Sequence, residues 1–171
     1  MQRRSLLKLG IVSAAALAVV GGGAALFVEP ARRDGRLTES GRRVLAAVAR
    51  AVLDGSLPSG DHKAQAVALA AHLDRMDAAL STMPASTQRE VGDLLTLLAL
   101  PPGRLALAGQ MTDWQHAEVT QVQARLQAMR ISRLSLRRKA YHALRDLTHA
   151  AYFASSATWP QLGYPGPTKI E

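Results

Sequence analysis

The sequence predicts an all-α protein: a small helical bundle of about five helices, between an N-terminal apolar signal helix and an extended Pro/Gly-rich C-terminal tail. Apolar residues recur at spacings of three and four, which is the period of an amphipathic helix, and no stretch alternates with period two for long. Hydrophobic residues make up 48% of the chain but aromatic residues only 4%, so the core must consist of Ala, Leu and Val. The expected organisation is a signal or anchor (1–28), a linker (29–36), the bundle (37–155) and the tail (156–171).

The N-terminus has the pattern of an export signal, in which a basic start precedes an apolar run. An uncharged run of 20 residues extends from Leu9 to Val28, and glycines and alanines keep its hydrophobicity mild. The paired arginines before it are typical of a twin-arginine signal, which directs the export of folded proteins. An ordinary secretory signal and a retained anchor are the alternatives, because 20 helical residues span roughly 30 Å. The predicted signal residues are Arg3, Arg4, Leu6, Leu7 and Lys8.

The first two bundle helices have recognisable start and stop signals. Thr38 or Ser40 can cap the first helix, whose apolar residues recur with helical spacing until Gly55. Pro58, Ser59 and Gly60 then form a turn. Asp61 opens the second helix.

Three more helices are expected downstream. The stretch from Thr87 to Glu90 has the spacing of a capping box, so a third helix is predicted to begin there and to end at Pro101. A short segment then leads to Thr112, the expected cap of a helix over residues 113–130. The last and longest helix is predicted near residues 132–155.

The last helix has two distinguishable faces. Tyr141 and Tyr152 lie eleven residues apart and form an aromatic ridge along one side. A neighbouring helix covers this ridge, or the ridge docks a partner, framed by Arg130, Arg133 and Arg137. Beside the ridge, Leu and Ala side chains predict the core face: Leu136, Ala140, Ala143, Leu144, Leu147, Ala150, Ala151 and Ala154.

Composition excludes several kinds of chemistry. The chain has no cysteine, so it has no disulfide, thiolate zinc site, Cys-ligated iron–sulfur cluster or CxxCH haem attachment. It also lacks the usual nucleotide, phosphate-loop, zincin and nucleophile-elbow motifs. His142, Asp146 and His149 share one sector of the last helix and can in principle hold a metal. Basic side chains share that sector, which favours a solvated polar face.

The net charge does not indicate a nucleic-acid partner. The whole chain carries 21 Lys and Arg against 13 Asp and Glu, a formal charge of +8. Residues 1–28 contribute three of these positive charges and no negative charge, which leaves +5 on the remainder. That excess is ordinary for a surface of this size, and no nucleic acid is expected as a partner.

The C-terminal tail combines aromatic residues with helix-breaking residues. Trp159 and Tyr164 stand among prolines and glycines, which predict an extended, turning path. Such a tail packs back on its own bundle or contacts a partner, and the residues alone leave both possibilities open. The tail positions expected to contact a partner are Trp159, Gly163, Tyr164, Pro165, Gly166 and Pro167.

With this tail, the chain resembles the small (gamma) subunit of membrane-bound gluconate 2-dehydrogenase and related flavin-dependent sugar and alcohol dehydrogenases, the gluconate 2-dehydrogenase subunit 3 family. About half of the chain carries the resemblance, mainly at its two ends. The tail match is the most distinctive part. The matching segments are the twin-arginine-like start, Trp114, Met129–Arg133, Arg137–Tyr141, Tyr152, Thr158–Trp159 and Leu162–Pro167.

The resemblance implies an accessory role. In that family the large subunit binds flavin and performs the oxidation, and a cytochrome subunit, where present, passes electrons to quinone. The small subunit resembles an escort whose signal carries the folded pair across the membrane. We therefore expect this chain to bind no cofactor itself and FAD to reside in the partner.

The sequence thus predicts a non-catalytic subunit on the periplasmic face of the inner membrane. Its expected partners are a flavoprotein large subunit, the twin-arginine export machinery and, through the N-terminal segment, the membrane. The expected partner-contacting residues outside the tail are Arg130, Arg137, Tyr141 and Tyr152. The alternative is a free-standing periplasmic or membrane-anchored helical interaction module, and a metal-dependent enzyme is the third hypothesis.

Overall fold

The computed structural model describes residues 29–58 and 60–166, except the side chains of Gln161 and Leu162. Six α-helices dominate this part of the chain, so the expected all-α bundle is confirmed. A short antiparallel hairpin precedes them, with β1 at Arg32–Arg33 and β2 at Arg36–Leu37. The helices are α1 (Glu39–Val52), α2 (His62–Ser81), α3 (Ala85–Ala99), α4 (Pro101–Ala108), α5 (Val119–Arg130) and α6 (Ser135–Phe153).

Helix α1 is the centre of the bundle, because α2, α3, α5 and α6 all pack against it. Val44, Leu45 and Val48 are fully buried on α1 and belong to the main apolar core. The chain before the hairpin crosses the start of α1 so closely that a methyl group on Gly41 would overlap the carbonyl oxygen of Ala31. Burial of these aliphatic side chains is the main force that holds the helices together.

The predicted start of α2 is confirmed in detail. The Asp61 carboxylate accepts a hydrogen bond from the backbone N–H of Lys63 at 2.8 Å, as an N-cap residue does. Thr38 occupies the N-cap position of α1, but its hydroxyl donates to the Pro30 carbonyl at 2.8 Å. Thr38 therefore ties α1 to the preceding chain, and its side chain does not cap the helix.

The capping box expected at Thr87–Glu90 is wrong. Helix α3 begins at Ala85, after Pro84, and has no side-chain capping bond. Because α3 begins before Thr87, this threonine lies within its first turn. Gln88 instead donates from its side-chain amide to the carbonyl of Met83 at 2.8 Å, which joins α3 to the preceding turn.

Helix α4 was not expected, because two consecutive prolines and a glycine usually end a helix. Pro101 and Pro102 occupy its first positions, where a missing N–H costs little. Gly103 packs so tightly under α3 that an added methyl group would overlap the carbonyl oxygen of Leu97. The helix ends at Gly109, whose φ of +66° is the left-handed conformation that glycine adopts readily.

Helix α5 begins at Val119, so the helix expected from residue 113 starts six residues late. Side-chain bonds hold the preceding loop. The Trp114 indole N–H donates to a carbonyl of α3 at 2.7 Å, and buried Arg104 bonds the Asp113 carboxylate at 2.9 Å. Burial alone would raise the pKa of Asp113, but the Gln115 backbone N–H and the Arg104 guanidinium outweigh it and lower that pKa.

The core face of α6 is rotated from the expected stripe. Thr148 and Tyr152 join the buried face, whereas Ala150 and Ala154 are exposed. The Thr148 hydroxyl donates to the Leu144 carbonyl at 2.8 Å, so its polar atom is satisfied inside the core. The buried face of α6 thus includes the side that packs against α2.

The expected extended tail is wrong over Ser156–Leu162, which forms a 3-10 helix. Turn bonds of the i to i+3 type run from the Thr158 N–H to Ser155 at 3.0 Å and from the Gly163 N–H to Pro160 at 3.1 Å. Proline cannot donate a backbone bond but it can accept one, so a single proline does not prevent so short a helix.

Candidate docking surface at the end of the last helix

The tail folds back onto the C-terminal turn of α6. The Thr158 hydroxyl lies 3.1 Å from the Tyr152 carbonyl and 2.8 Å from the Ser155 carbonyl, and the Trp159 indole N–H donates to the Phe153 carbonyl at 2.9 Å. The last carbonyls of a helix lack partners within that helix, and the Trp159 indole supplies a donor to the Phe153 carbonyl. The Thr158 hydroxyl lies beside two carbonyls that also accept backbone N–H bonds, from Ser155 and Thr158. The tail is therefore fixed to the bundle by the chain's own bonds.

Trp159 and Tyr164 form an aromatic pair within this tail. Their ring centroids lie 5.3 Å apart in an edge-to-face arrangement, and the Tyr164 N–H donates to the Trp159 carbonyl at 3.1 Å. Gly163 turns the chain between them with a φ of +66°. Gly166, at a φ of +100°, lies against the Trp159 ring, where an added methyl group would come within 3.4 Å. The Pro/Gly pattern thus shapes a compact loop.

This loop leaves an aromatic surface in solvent. Phe153 and Tyr164 expose 43% and 48% of their areas, and Trp159 between them is half-buried. The sequence has no Asp, Glu, Lys or Arg between residues 147 and 168. Exposed aromatic side chains on a segment that carries no charge of its own are typical of the centres of protein interfaces. We call Phe153, Trp159 and Tyr164 the aromatic end.

Tyr152 does not belong to this surface. It would be exposed here if the aromatic ridge of Tyr141 and Tyr152 were free to dock a partner. Tyr152 is buried against Ala49 and Leu53 of the α1 end, and its hydroxyl donates to the Ser56 carbonyl at 3.0 Å. Its ring also meets buried His72 of α2 edge-to-face, with centroids 6.2 Å apart. Neighbouring elements cover Tyr152, which is the other possibility that the sequence left open for the ridge.

The remaining expected partner contacts lie at the other end of α6. Arg130 is exposed at the end of α5, and Tyr141 is half-buried against the core. Arg137 donates through Nε and Nη2 to the carbonyl of Ala106 at 3.0 and 2.6 Å, so it connects α6 to α4. The structure therefore does not bring these three residues together with Trp159 and Tyr164.

The possible metal ligands on α6 do not form a site. His142 and Asp146 are exposed, while the His149 ring packs 5.7 Å from the Phe153 ring. Burial and the nearby Arg145 lower the pKa of His149, and Asp146 opposes them. Among residues 29–58 and 60–166, no three His, Asp or Glu side chains are grouped as metal ligands.

Sequence reasoning missed Phe153, which directly follows Tyr152 and was not distinguished from it. The signal that would have found it is the uncharged stretch from 147 to 168, which ends a helix and enters the aromatic tail. The predicted export residues Arg3, Arg4, Leu6, Leu7 and Lys8, and Pro167 of the tail, lie outside the described residues.

Within the described part of the chain, no single helix has the length and hydrophobicity needed to cross a membrane. The pair α3 and α4, bent by 103°, meets the requirement only when both helices are counted together.

Comparison with known proteins gives no match: no family model, no curated protein and no solved structure is similar to this chain at a significant level.

Proposed function

We propose that this chain is a non-catalytic subunit that binds a flavin-dependent dehydrogenase and escorts it, folded, across the membrane. The aromatic end is the observation that carries the proposal. It presents two exposed aromatic rings, Phe153 at the last position of α6 and Tyr164 on a loop whose shape is fixed by hydrogen bonds, so little conformational entropy is lost when a partner covers it. Rigid aromatic surfaces favour a protein partner.

The N-terminal sequence supports the export part of the proposal. Arg3 and Arg4 precede a mild apolar run, the pattern expected of the twin-arginine pathway. That pathway accepts folded cargo, so a bound subunit without its own signal can travel with this chain. The resemblance to the dehydrogenase small subunits suggests FAD in the partner, a cytochrome subunit in some complexes, and work on the periplasmic face of the inner membrane.

The docking part is tested by affinity purification of the tagged full chain from its native cell in mild detergent. A near-stoichiometric partner with the visible absorbance of a flavin is expected. Tyr164→Ala and Phe153→Ala should each weaken partner binding about 10-fold, since truncating a central aromatic costs roughly 1–2 kcal/mol. Val67→Ala is the control, because Val67 is an apolar side chain that is even more exposed but lies on α2.

A solitary, colourless protein would contradict the proposal and favour the free-standing module. A flavoprotein partner retained fully by both aromatic variants would leave the subunit role standing but remove the aromatic end from it.

The export part is tested by changing Arg3 and Arg4 to lysine together. The dehydrogenase activity should then remain in the cytoplasm, because the export machinery requires the arginine pair and not only positive charge. The control makes the same change at Arg33 and Arg36, two exposed arginines of the hairpin. Normal periplasmic activity in the Arg3 and Arg4 variant would refute export by this signal.

A further inference from the structure

Positive charge is concentrated around the turn between α5 and α6. Residues 119–145 contain seven Lys and Arg and no Asp or Glu, whereas the rest of the chain after residue 28 has 11 against 13. The entire positive excess of residues 29–171 therefore lies in these two helices and their turn. A surface with one sign of charge attracts a partner of the opposite sign.

Aliphatic side chains are exposed at the turn between α5 and α6, among these basic residues. Ile131 and Leu134, on either side of the turn, expose 68% and 60% of their areas. Leu105 of α4 exposes 50%, and the Arg137 guanidinium bonds the next residue along, Ala106, which holds α4 beside the start of α6. Leu105, Ile131 and Leu134 with Arg125, Arg130 and Arg133 are named the basic-aliphatic surface.

The turn is held in shape by its own polar groups. Arg138 donates through Nη1 to the Ser132 carbonyl at 2.6 Å and to the Arg133 carbonyl at 3.0 Å. The Leu134 N–H donates to the Ser132 hydroxyl at 3.2 Å. Arg125 lies at the end of α4, with its guanidinium 3.6 Å from the position of a methyl group on Gly109. The aliphatic groups are therefore displayed by a preorganised turn.

We propose that the basic-aliphatic surface docks on an anionic phospholipid bilayer. Leu105, Ile131 and Leu134 would enter the interface between headgroups and acyl chains. The surrounding arginines would remain at the phosphates, with their aliphatic stems lying along the apolar layer. Arg130, expected from the sequence to contact a protein, faces lipid in this arrangement.

Charge and side-chain type favour lipid over an acidic protein. The exposed apolar groups of this surface are all aliphatic, whereas protein-interface centres are enriched in aromatic residues, which this chain displays at the other end of α6. Ile131 and Leu134 also lie on an exposed turn, and exposed aliphatic groups can enter a bilayer interface without a complementary pocket. Anionic lipid complements the segment 119–145, which supplies five of the six residues of this surface and has seven cations and no acid.

The absence of cysteine allows a site-specific test on the full chain. Single Ile131→Cys and Leu134→Cys variants are labelled with an environment-sensitive fluorophore and reconstituted in vesicles. In phosphatidylglycerol/phosphatidylcholine vesicles the emission should shift to the blue and rise several-fold, relative to phosphatidylcholine alone. A label at Val67→Cys, which is 63% exposed on α2, should not respond. Any insertion of residues 1–28 is common to all samples, so the differences between labels report on the surface.

Charge removal completes the test. Changing Arg130 and Arg133 to serine should lower the ratio of docked to undocked label about 30-fold, at about one cation's contribution per arginine. The same change at Arg33 and Arg36 should have no effect. Labels at 131 and 134 that respond to anionic vesicles no more than the Val67 label would overturn the proposal. So would a response that appears only when the copurified partner protein is added, because the surface would then bind protein.

Discussion

Lowering the pH from 7 to 5 should weaken the fold through one side chain, His72. This residue lies in the middle of α2, and its side chain is fully buried where α2 faces the Tyr152 ring of α6. Neither ring nitrogen has a hydrogen-bond partner among the described residues. Burial, and to a lesser degree the positive charge of Arg75 one turn along the helix, lowers the pKa of His72 from 6.5 to about 4.

The direction of the effect follows from proton linkage. Because the folded pKa is depressed, the unfolded chain binds a proton at His72 below pH 6.5 while the folded protein does not, until the pH approaches 4. Stability is therefore complete above pH 6.5 and declines as the pH falls through this window. Each pH unit within it costs about 1.4 kcal/mol, so His72 should contribute a loss of about 2 kcal/mol between pH 7 and pH 5.

The measurement is urea denaturation of the full chain at both pH values, followed by circular dichroism. His72→Leu removes the titrating group and two buried nitrogens without partners, so its stability at pH 7 should equal or exceed that of the parent. Its loss between pH 7 and pH 5 should be about 2 kcal/mol smaller than the parent's. His62→Gln, at the exposed start of the same helix, should behave as the parent does.

Comparison of variants isolates His72 from other groups whose pKa is also shifted, such as His149. An equal pH-dependent loss in the parent and in His72→Leu would refute the reasoning. It would mean that water or a local opening solvates the imidazole of the folded protein.

Three further substitutions test packing and buried hydrogen bonds, each by the same denaturation assay at pH 7. Gly103→Ala should cost about 2–3 kcal/mol, because the added methyl group would overlap the Leu97 carbonyl and α4 would have to move. Tyr152→Phe should cost about 1 kcal/mol through loss of the bond to the Ser56 carbonyl. Trp114→Phe should cost about 1–3 kcal/mol, because it leaves a buried carbonyl of α3 without its donor.

Each of these has its own contrary result. A neutral Gly103→Ala would show that α4 does not contact α3 as closely as described. A neutral Tyr152→Phe would mean that the phenol contributes only through its ring. Trp114→Phe with full stability would show that water replaces the indole donor.

The sequence predicted those features whose cause is local. The Asp61 side chain caps α2 by accepting a hydrogen bond from the backbone N–H of Lys63, only two residues away. No distant part of the chain is needed for this contact. Helical spacing predicted the bundle for the same reason. Proline was ambiguous: Pro101 and Pro102 can end one helix or begin another, and the packing of Gly103 under α3 favours the second.

The candidate site was predicted only in part, because burial depends on the whole bundle. Trp159 and Tyr164 were named from the tail, but Tyr152 and Phe153 are adjacent and have opposite environments. Which of the two faces solvent depends on the rotation of α6 against α2, and the sequence pattern, dominated by alanine, did not determine that rotation. The export signal in residues 1–28 stays a prediction from their sequence.

The length of α6 has a geometric consequence for a complex on a membrane. The helix has 19 residues and therefore extends about 28 Å from the basic-aliphatic surface to the aromatic end. With α6 along the bilayer normal, a dehydrogenase bound at the aromatic end would stand at that height above a bilayer bound at the other end. One inserted residue would change the height by about 1.5 Å and the direction by about 100°. The residue count of a single helix would thus set both the distance and the orientation of the enzyme relative to the lipid.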